Sequence, residues 1–186
     1  TQKISLYWHG ANFRFVGDNC RMIVQQLHPL PVFGLAILLA APLMAAIPEA
    51  QRSTIDRMTG VKGAYTAEED VYRVNFPRTD VKVSVEGRSM HPFLGLTSWA
   101  AFTPHSQTEL MVMGDLVLFE DEVNPVMSAA LDNGLEVTAL HNHFFFDSPR
   151  VMFMHIGGSG TAERLATAVA RAMDRVKEIR KANPQP

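Results

Sequence analysis

"LEVTALHNHFFFDSPRVMFMHI", residues 135–156, decides how this chain folds. Leu135 to Phe146 and Val151 to Ile156 are dominated by apolar, β-branched and aromatic residues, and Asp147-Ser148-Pro149 between them is turn chemistry. The stretch therefore predicts two antiparallel strands joined as a hairpin. Before it, "ELMVMGDLVLF" (109–119) is apolar on both alternating faces, which predicts a central strand covered on both sides, with Gly114 marking a bulge. A hairpin turning at Gly114-Asp115 is the alternative. "TSWAAFTP" (97–104) predicts a further strand, and Val71 to Phe76 and Val81 to Val85 alternate as strands separated by a turn at Pro77 to Asp80. Arg78 and Asp80 flank that turn and are expected to form a local ion pair.

Helical periodicity appears in three places. Residues 48–59 read as a helix with Pro48 near its first turn and Gly60 as its stop. A short helix is expected with Asn124 as cap, Pro125 in its first position and Asn133-Gly134 at its end. "GGSG" (157–160) leads into a long helix over 161–181, where Leu165, Ala168, Val169, Ala172, Val176 and Ile179 form one apolar stripe. The expected fold is α+β: a mostly antiparallel sheet with helices packed on one face and a long C-terminal helix. One domain spans 47–182, preceded by an N-terminal extension over 1–46 and followed by a tail at 183–186.

The chain has 186 residues, 47% of them hydrophobic and 19% charged, with a formal net charge of −2. That composition belongs to a folded domain, and it lacks the basic footprint of nucleic-acid binding, so no nucleic-acid partner is expected. Cys20 is the only cysteine, which excludes an intramolecular disulfide and a thiolate metal cluster. "VFGLAILLAA" (32–41) has the length of a signal-peptide apolar core and is too short to span a membrane. The expectation is export to the periplasm or the extracellular space, with cleavage near Ala45-Ala46; one reading has translation begin at Met22. A membrane contact is expected only through this segment, if it is not cleaved.

Three of the seven histidines, His141, His143 and His155, fall within fifteen residues of the strand-like stretch. Side chains alternate along a strand, so His141 and His143 share a face. A three- or five-residue hairpin loop brings His155 to the same face, whereas a four-residue loop sends it to the other. Three imidazoles meeting across a hairpin are the donor set of a divalent transition-metal site with an open position, Zn²⁺ first and Fe²⁺ or Mn²⁺ as alternatives. The competing interpretations are a metal-free polar pocket and ordinary sheet residues. Asp115 and Glu120 are the candidate general bases for such a centre, and Asp147 stands near the place of a further carboxylate. Met152 and Met154 should point away from His155, while Met111 and Met113 remain possible soft ligands. His91 and His105 fall on expected loops. The functional expectation is a metal-binding domain, as a metal-dependent hydrolase or lyase acting on an unknown small molecule. The alternatives are a non-catalytic ligand- or partner-binding module and a purely structural domain.

The segments "GVKG" (60–63), "FPRTDVKVSVEG" (76–87), "GLTSWAAF" (95–102), "MVMGDLVLFEDEVNPVMSAALDNGLEVTALHNHFF" (111–145) and "PRVMFMHIGGSG" (149–160) together resemble the domain of unknown function of the mycobacterial LppY and LpqO lipoproteins. The resemblance covers about residues 55 to 178. It implies an exported bacterial protein and supplies no activity and no catalytic residues. No cysteine follows the apolar block here, so lipid anchoring is not implied for this chain.

Overall fold

The structure, a computed structural model, describes residues 46–184. The apolar block at 32–41 and Ala45, on which the export expectation rests, lie outside the described residues. Among the described residues no helix is long and apolar enough to cross a membrane.

The described residues build three α-helices and nine strands. In order these are α1 (Glu49–Thr59), β1 (Ala64–Thr66), β2 (Val71–Pro77), β3 (Ser84–Val85), β4 (Arg88–Ser89), β5 (Thr97–Pro104), β6 (Leu110–Phe119), α2 (Glu120–Asp132), β7 (Glu136–His141), β8 (Asp147–Ser148), β9 (Val151–Gly160) and α3 (Ala162–Ala182). A single 3₁₀ turn, Pro92–Leu94, precedes β5. Six strands form one sheet in the order β1-β2-β5-β6-β9-β7, and every neighbouring pair is antiparallel. β6 and β7 both run antiparallel to β9, so α2 carries the chain across the sheet and β9 returns between them.

The helices cover one face of this sheet. The α3 stripe predicted from the sequence is buried in full, and it packs with Ile55 of α1, Val126 and Ala130 of α2 and the inward residues Val74, Phe102, Val112, Leu116 and Ile156. Burying each of these large apolar side chains contributes about 1.5–3 kcal/mol. On the opposite face a second, smaller core joins Val117, Phe119, Val151 and Phe153 to Val83 and Leu96, with Met90 and Phe144 against them. Its cover is a three-stranded sheet, β4-β3-β8. This explains the composition of β6. From Asp115 to Phe119 the strand is buried on both faces, whereas Met111 and Met113 remain exposed on the outer face.

Several elements depart from expectation. Gly114 is not in a bulge: it pairs regularly with Ala100 and Ile156, and a Cβ there would stand 2.6 Å from the Trp99 carbonyl oxygen. The requirement for glycine is close approach of the neighbouring strand. Helix α2 begins at Glu120, five residues before Pro125, which lies inside it. Glu120, Asp121 and Glu122 place negative charge in the first turn, where the helix dipole favours it, and Glu122 Oε2 accepts the Phe119 N–H at 2.8 Å. β9 continues through "GGSG" as strand. Of Val81 to Val85 only Ser84 and Val85 pair as strand. β7 stops at His141, five residues short of Phe146. Asn142 Nδ2 donates to the Phe144 carbonyl, and the chain leaves the main sheet so that Asp147 and Ser148 pair with β3 instead.

The expected Arg78–Asp80 pair exists but belongs to a larger buried assembly. Arg78 donates Nε and Nη2 to Asp80, Nη1 and Nη2 to Glu122, and Nη1 to the Val117 carbonyl, which occupies all five of its N–H groups. Arg180 of α3 approaches the same Glu122 carboxylate, Nε to Oε1 at 2.6 Å, in an ion-pair contact outside hydrogen-bond angles, and it also pairs with Asp121.

Candidate metal centre

The register of β7 against β9 sets the direction of each histidine. Glu136 pairs with Gly157 and Val137 with Ile156, but beyond a bulge at Thr138 Ala139 pairs with His155, Leu140 with Met154 and His141 with Phe153. Were Thr138 paired in turn with His155, Ala139 would lie opposite Met154 and both it and His141 would face the helices. The bulge turns His141 to the outer face, where His155 already points. His155 therefore sits diagonally from His141, two pairs along the ladder and on the same face, and their ring centroids are 4.8 Å apart.

His143 reaches the same place by another route. It lies beyond the end of β7, in a bend, so strand alternation does not position it. Its ring instead lies flat on Phe153, with centroids 3.4 Å apart and planes 6° apart, and its centroid is 5.0 Å from that of His141. His141 Nε2 and His143 Nε2 are 3.1 Å apart. Two nitrogens bound to one ion at about 2.0–2.1 Å stand about 2.9–3.4 Å apart for bond angles between a right angle and tetrahedral. Burial pushes the His143 imidazole below its usual pKa; the Asp115 carboxylate opposes that shift and the neighbouring His141 and His155 add to it. The neutral ring so favoured is the form that ligates metals.

Asp115 is the cross-strand partner of His155 on β6, and its Oδ1 lies 3.9 Å from His155 Nε2. The residue is only 8% exposed, and Oδ1 accepts no hydrogen bond. Glu120 is not brought to this cluster. It is an exposed residue opening α2, five residues beyond Asp115, which at the strand rise is about 17 Å away. Asp147 sits in the second sheet, where Oδ2 accepts the Val151 N–H at 2.7 Å. Met154 is buried in the main core and Met152 packs against it, away from the histidines, while Met113 stands two residues before Asp115 on the outer face.

Among the described residues no three His, Cys, Asp or Glu side chains are gathered around one point at ligand distance. His141 and His143 hold ligand spacing as they stand, and His155, whose side chain is 41% exposed, has to turn to complete a set. A cavity of 470 Å³ lies elsewhere, between the 77–80 turn and the end of α3, and none of these four residues lines it. Three of its four cations are matched by carboxylates: Arg78 by Asp80 and Glu122, Arg180 by Asp121 and Glu122, and Lys177 by Asp174; the fourth is Lys181.

Sequence reasoning missed Glu122, Arg180 and the contribution of Phe153. The "EDE" run at 120–122 was the available signal for the first, since its third acid occupies the position from which a side chain reaches back to cap the helix. No curated protein and no solved structure matches the chain. The family described as "Domain of Unknown Function (DUF1259)" matches residues 53–175, more than half of the sequence and all of the histidine cluster, and the chain belongs to that family.

Proposed function

We propose that this domain binds a divalent transition metal through His141, His143 and His155, with Zn²⁺ as the first choice and Fe²⁺ or Mn²⁺ as alternatives, and that it acts as a metal-dependent hydrolase or lyase. The observation that carries the proposal is the gathering of three imidazoles, from β7, the bend after it and β9, with centroid spacings of 4.8 and 5.0 Å on one face of the sheet. Sheet residues with no common task have no reason to need a bulge on one strand and a ring stacked flat on Phe153 to meet there. A divalent ion at that place supplies Lewis-acid polarisation of a substrate oxygen. The chain's own contribution is to fix the rings: Phe153 holds the plane of His143, and the second core behind it keeps water from that side.

The apolar N-terminal block and the LppY/LpqO resemblance support export, so the ion would be acquired outside the cytoplasm. The mass of the mature protein from a native host tests this, and an intact N-terminus would end the exported reading.

The test of the metal is elemental analysis of tag-free protein after incubation with Zn²⁺, Mn²⁺ and Fe²⁺ in turn. A stoichiometric amount of one of them, lost on triple substitution of the three histidines by alanine, supports the centre. Only trace metal in every case would refute it. One observation favours a second reading, a non-catalytic partner- or ligand-binding module: Phe145 and Phe146, beside the cluster in sequence, are 87% and 70% exposed. Under that reading the histidine substitutions weaken binding of a ligand or partner and leave metal content unchanged.

A further inference from the structure

We infer that Asp115 is a fourth ligand of the proposed ion, not its general base; the inference rests on the three-histidine reading above. Its support comes from how this chain treats its buried acids. Glu122 is fully buried and surrounded: two guanidiniums and the Phe119 N–H meet its oxygens. Asp147 receives the Val151 N–H on Oδ2, although its Oδ1 has no partner. Asp115 is 8% exposed and its Oδ1 receives no hydrogen bond. Buried polar groups are almost always satisfied, and an ionised carboxylate without a partner is the most costly exception. The neighbours of Asp115 along the outer face of β6 are Met113 and Val117, neither of which can donate a hydrogen bond, and Trp99, its cross-strand partner on β5, makes none to its Oδ1. What does stand beside it is the imidazole cluster, with His155 Nε2 at 3.9 Å. A buried acid whose Oδ1 accepts no hydrogen bond, next to three imidazoles, is an arrangement that a cation from outside would complete.

The geometry agrees. Nitrogen and oxygen ligands at about 2.0–2.2 Å from one ion lie about 3 Å apart, and His155 Nε2 stands 3.9 Å from Asp115 Oδ1, about 1 Å beyond that spacing. A carboxylate bound in this way cannot also collect a proton from water. Three imidazoles and one carboxylate fill a tetrahedral ion, so a catalytic ion here must accept more than four ligands, as Mn²⁺ and Fe²⁺ do and Zn²⁺ does on expansion. The outer face of β6 beside it is left bare at the exposed Met113, which would give a substrate its approach. The substrate class that fits is a small molecule with paired oxygen donors able to chelate the ion.

The experiment compares the full chain with Asp115→Asn, which keeps the shape of the side chain and removes its charge. Co²⁺ is titrated into both apo-proteins, following its visible absorption, and the thermal midpoints of both are measured with and without the ion. The expected results are a loss of Co²⁺ affinity of at least ~10-fold, a changed absorption envelope, and an apo variant that melts about 2–4 °C above the apo wild type, an order that Co²⁺ reverses. An unchanged envelope with weakened binding would make Asp115 an orienting residue and overturn the inference while leaving the three-histidine reading intact. An apo variant that melts below the wild type would also overturn it, because the carboxylate would then have partners in the protein. Failure of the wild type to bind Co²⁺ would overturn both.

Discussion

Replacing Glu122 by alanine should be among the most damaging single changes in this domain. Its carboxylate has no exposed surface, and it accepts from Arg78 at 2.9 Å through each oxygen, from the Phe119 N–H at 2.8 Å, and contacts Arg180 Nε at 2.6 Å. Removing it leaves two guanidiniums, each less than a tenth exposed, with reduced compensation. Breaking a buried ion pair in this way costs about 3–5 kcal/mol. Arg78 keeps Asp80 and the Val117 carbonyl, and Arg180 keeps Asp121, which places the estimate at the lower end, near ~3 kcal/mol. For a domain of this length that lowers the thermal midpoint by about 6–12 °C. Urea unfolding followed by far-ultraviolet circular dichroism measures it, and the loss should persist in high salt, because the assembly is buried. The triple variant Arg78→Met, Glu122→Leu, Arg180→Met should recover most of the loss, since apolar replacement of a whole buried ionic group is close to neutral. A loss below ~1 kcal/mol for Glu122→Ala, the value of an exposed pair, would refute the reasoning.

Three further outcomes follow from the same geometry. Burial, and after it the hydrogen bond to Asp56 at 2.5 Å, raise the Tyr72 phenol to about 12 from 10.0, so the folded state holds its proton longer than the unfolded chain; wild-type stability should fall as pH rises from 10.0 through about 12, and Tyr72→Phe should make that slope shallower in urea unfolding across the range. Gly114→Ala should destabilise the fold by about 1–3 kcal/mol, measured the same way, because the added Cβ would meet the Trp99 carbonyl oxygen at 2.6 Å and Ile156 Cγ1 at 2.9 Å on a strand paired along both edges. Inserting one alanine after Ala139 should move His141 one pair along, opposite Met152 and toward the helices, and lower metal affinity by at least ~10-fold while the circular dichroism spectrum is retained; unchanged affinity would show that the register does not aim the ring.

Elements with strong periodicity were legible from the sequence. The stripe from Leu165 to Ile179 has one possible face, and β5 and β6 carry their apolar alternation to within a residue of their ends. The burial of the second half of β6 on both faces could be read from its composition, because only a strand covered twice can be apolar at every position. Boundaries set by tertiary partners were not legible. The run from Asn142 to Phe146 has strand composition, yet β8 is drawn to β3, a strand 62 residues earlier in the chain. Val81 to Val83 alternate as a strand, but their side chains serve the second core without a ladder partner. At the site, parity was the open question, and it is decided by a bulge at Thr138 that no local residue preference announces. The stacking of His143 on Phe153 depends on a bend outside any strand, so alternation could not have found it. Asp115 was legible as a carboxylate near the histidines; its lack of a hydrogen-bond partner is visible only once β5, β6 and β9 are assembled.

A crystal of the protein soaked in Zn²⁺ and measured on both sides of the zinc absorption edge tests the central claim most directly. The account predicts one strong anomalous peak about 2.0–2.1 Å from a ring nitrogen of each of His141, His143 and His155, with an oxygen of Asp115 at about 2.0–2.2 Å. A map with no peak there, or with zinc bound only at His91 or His105, would contradict it.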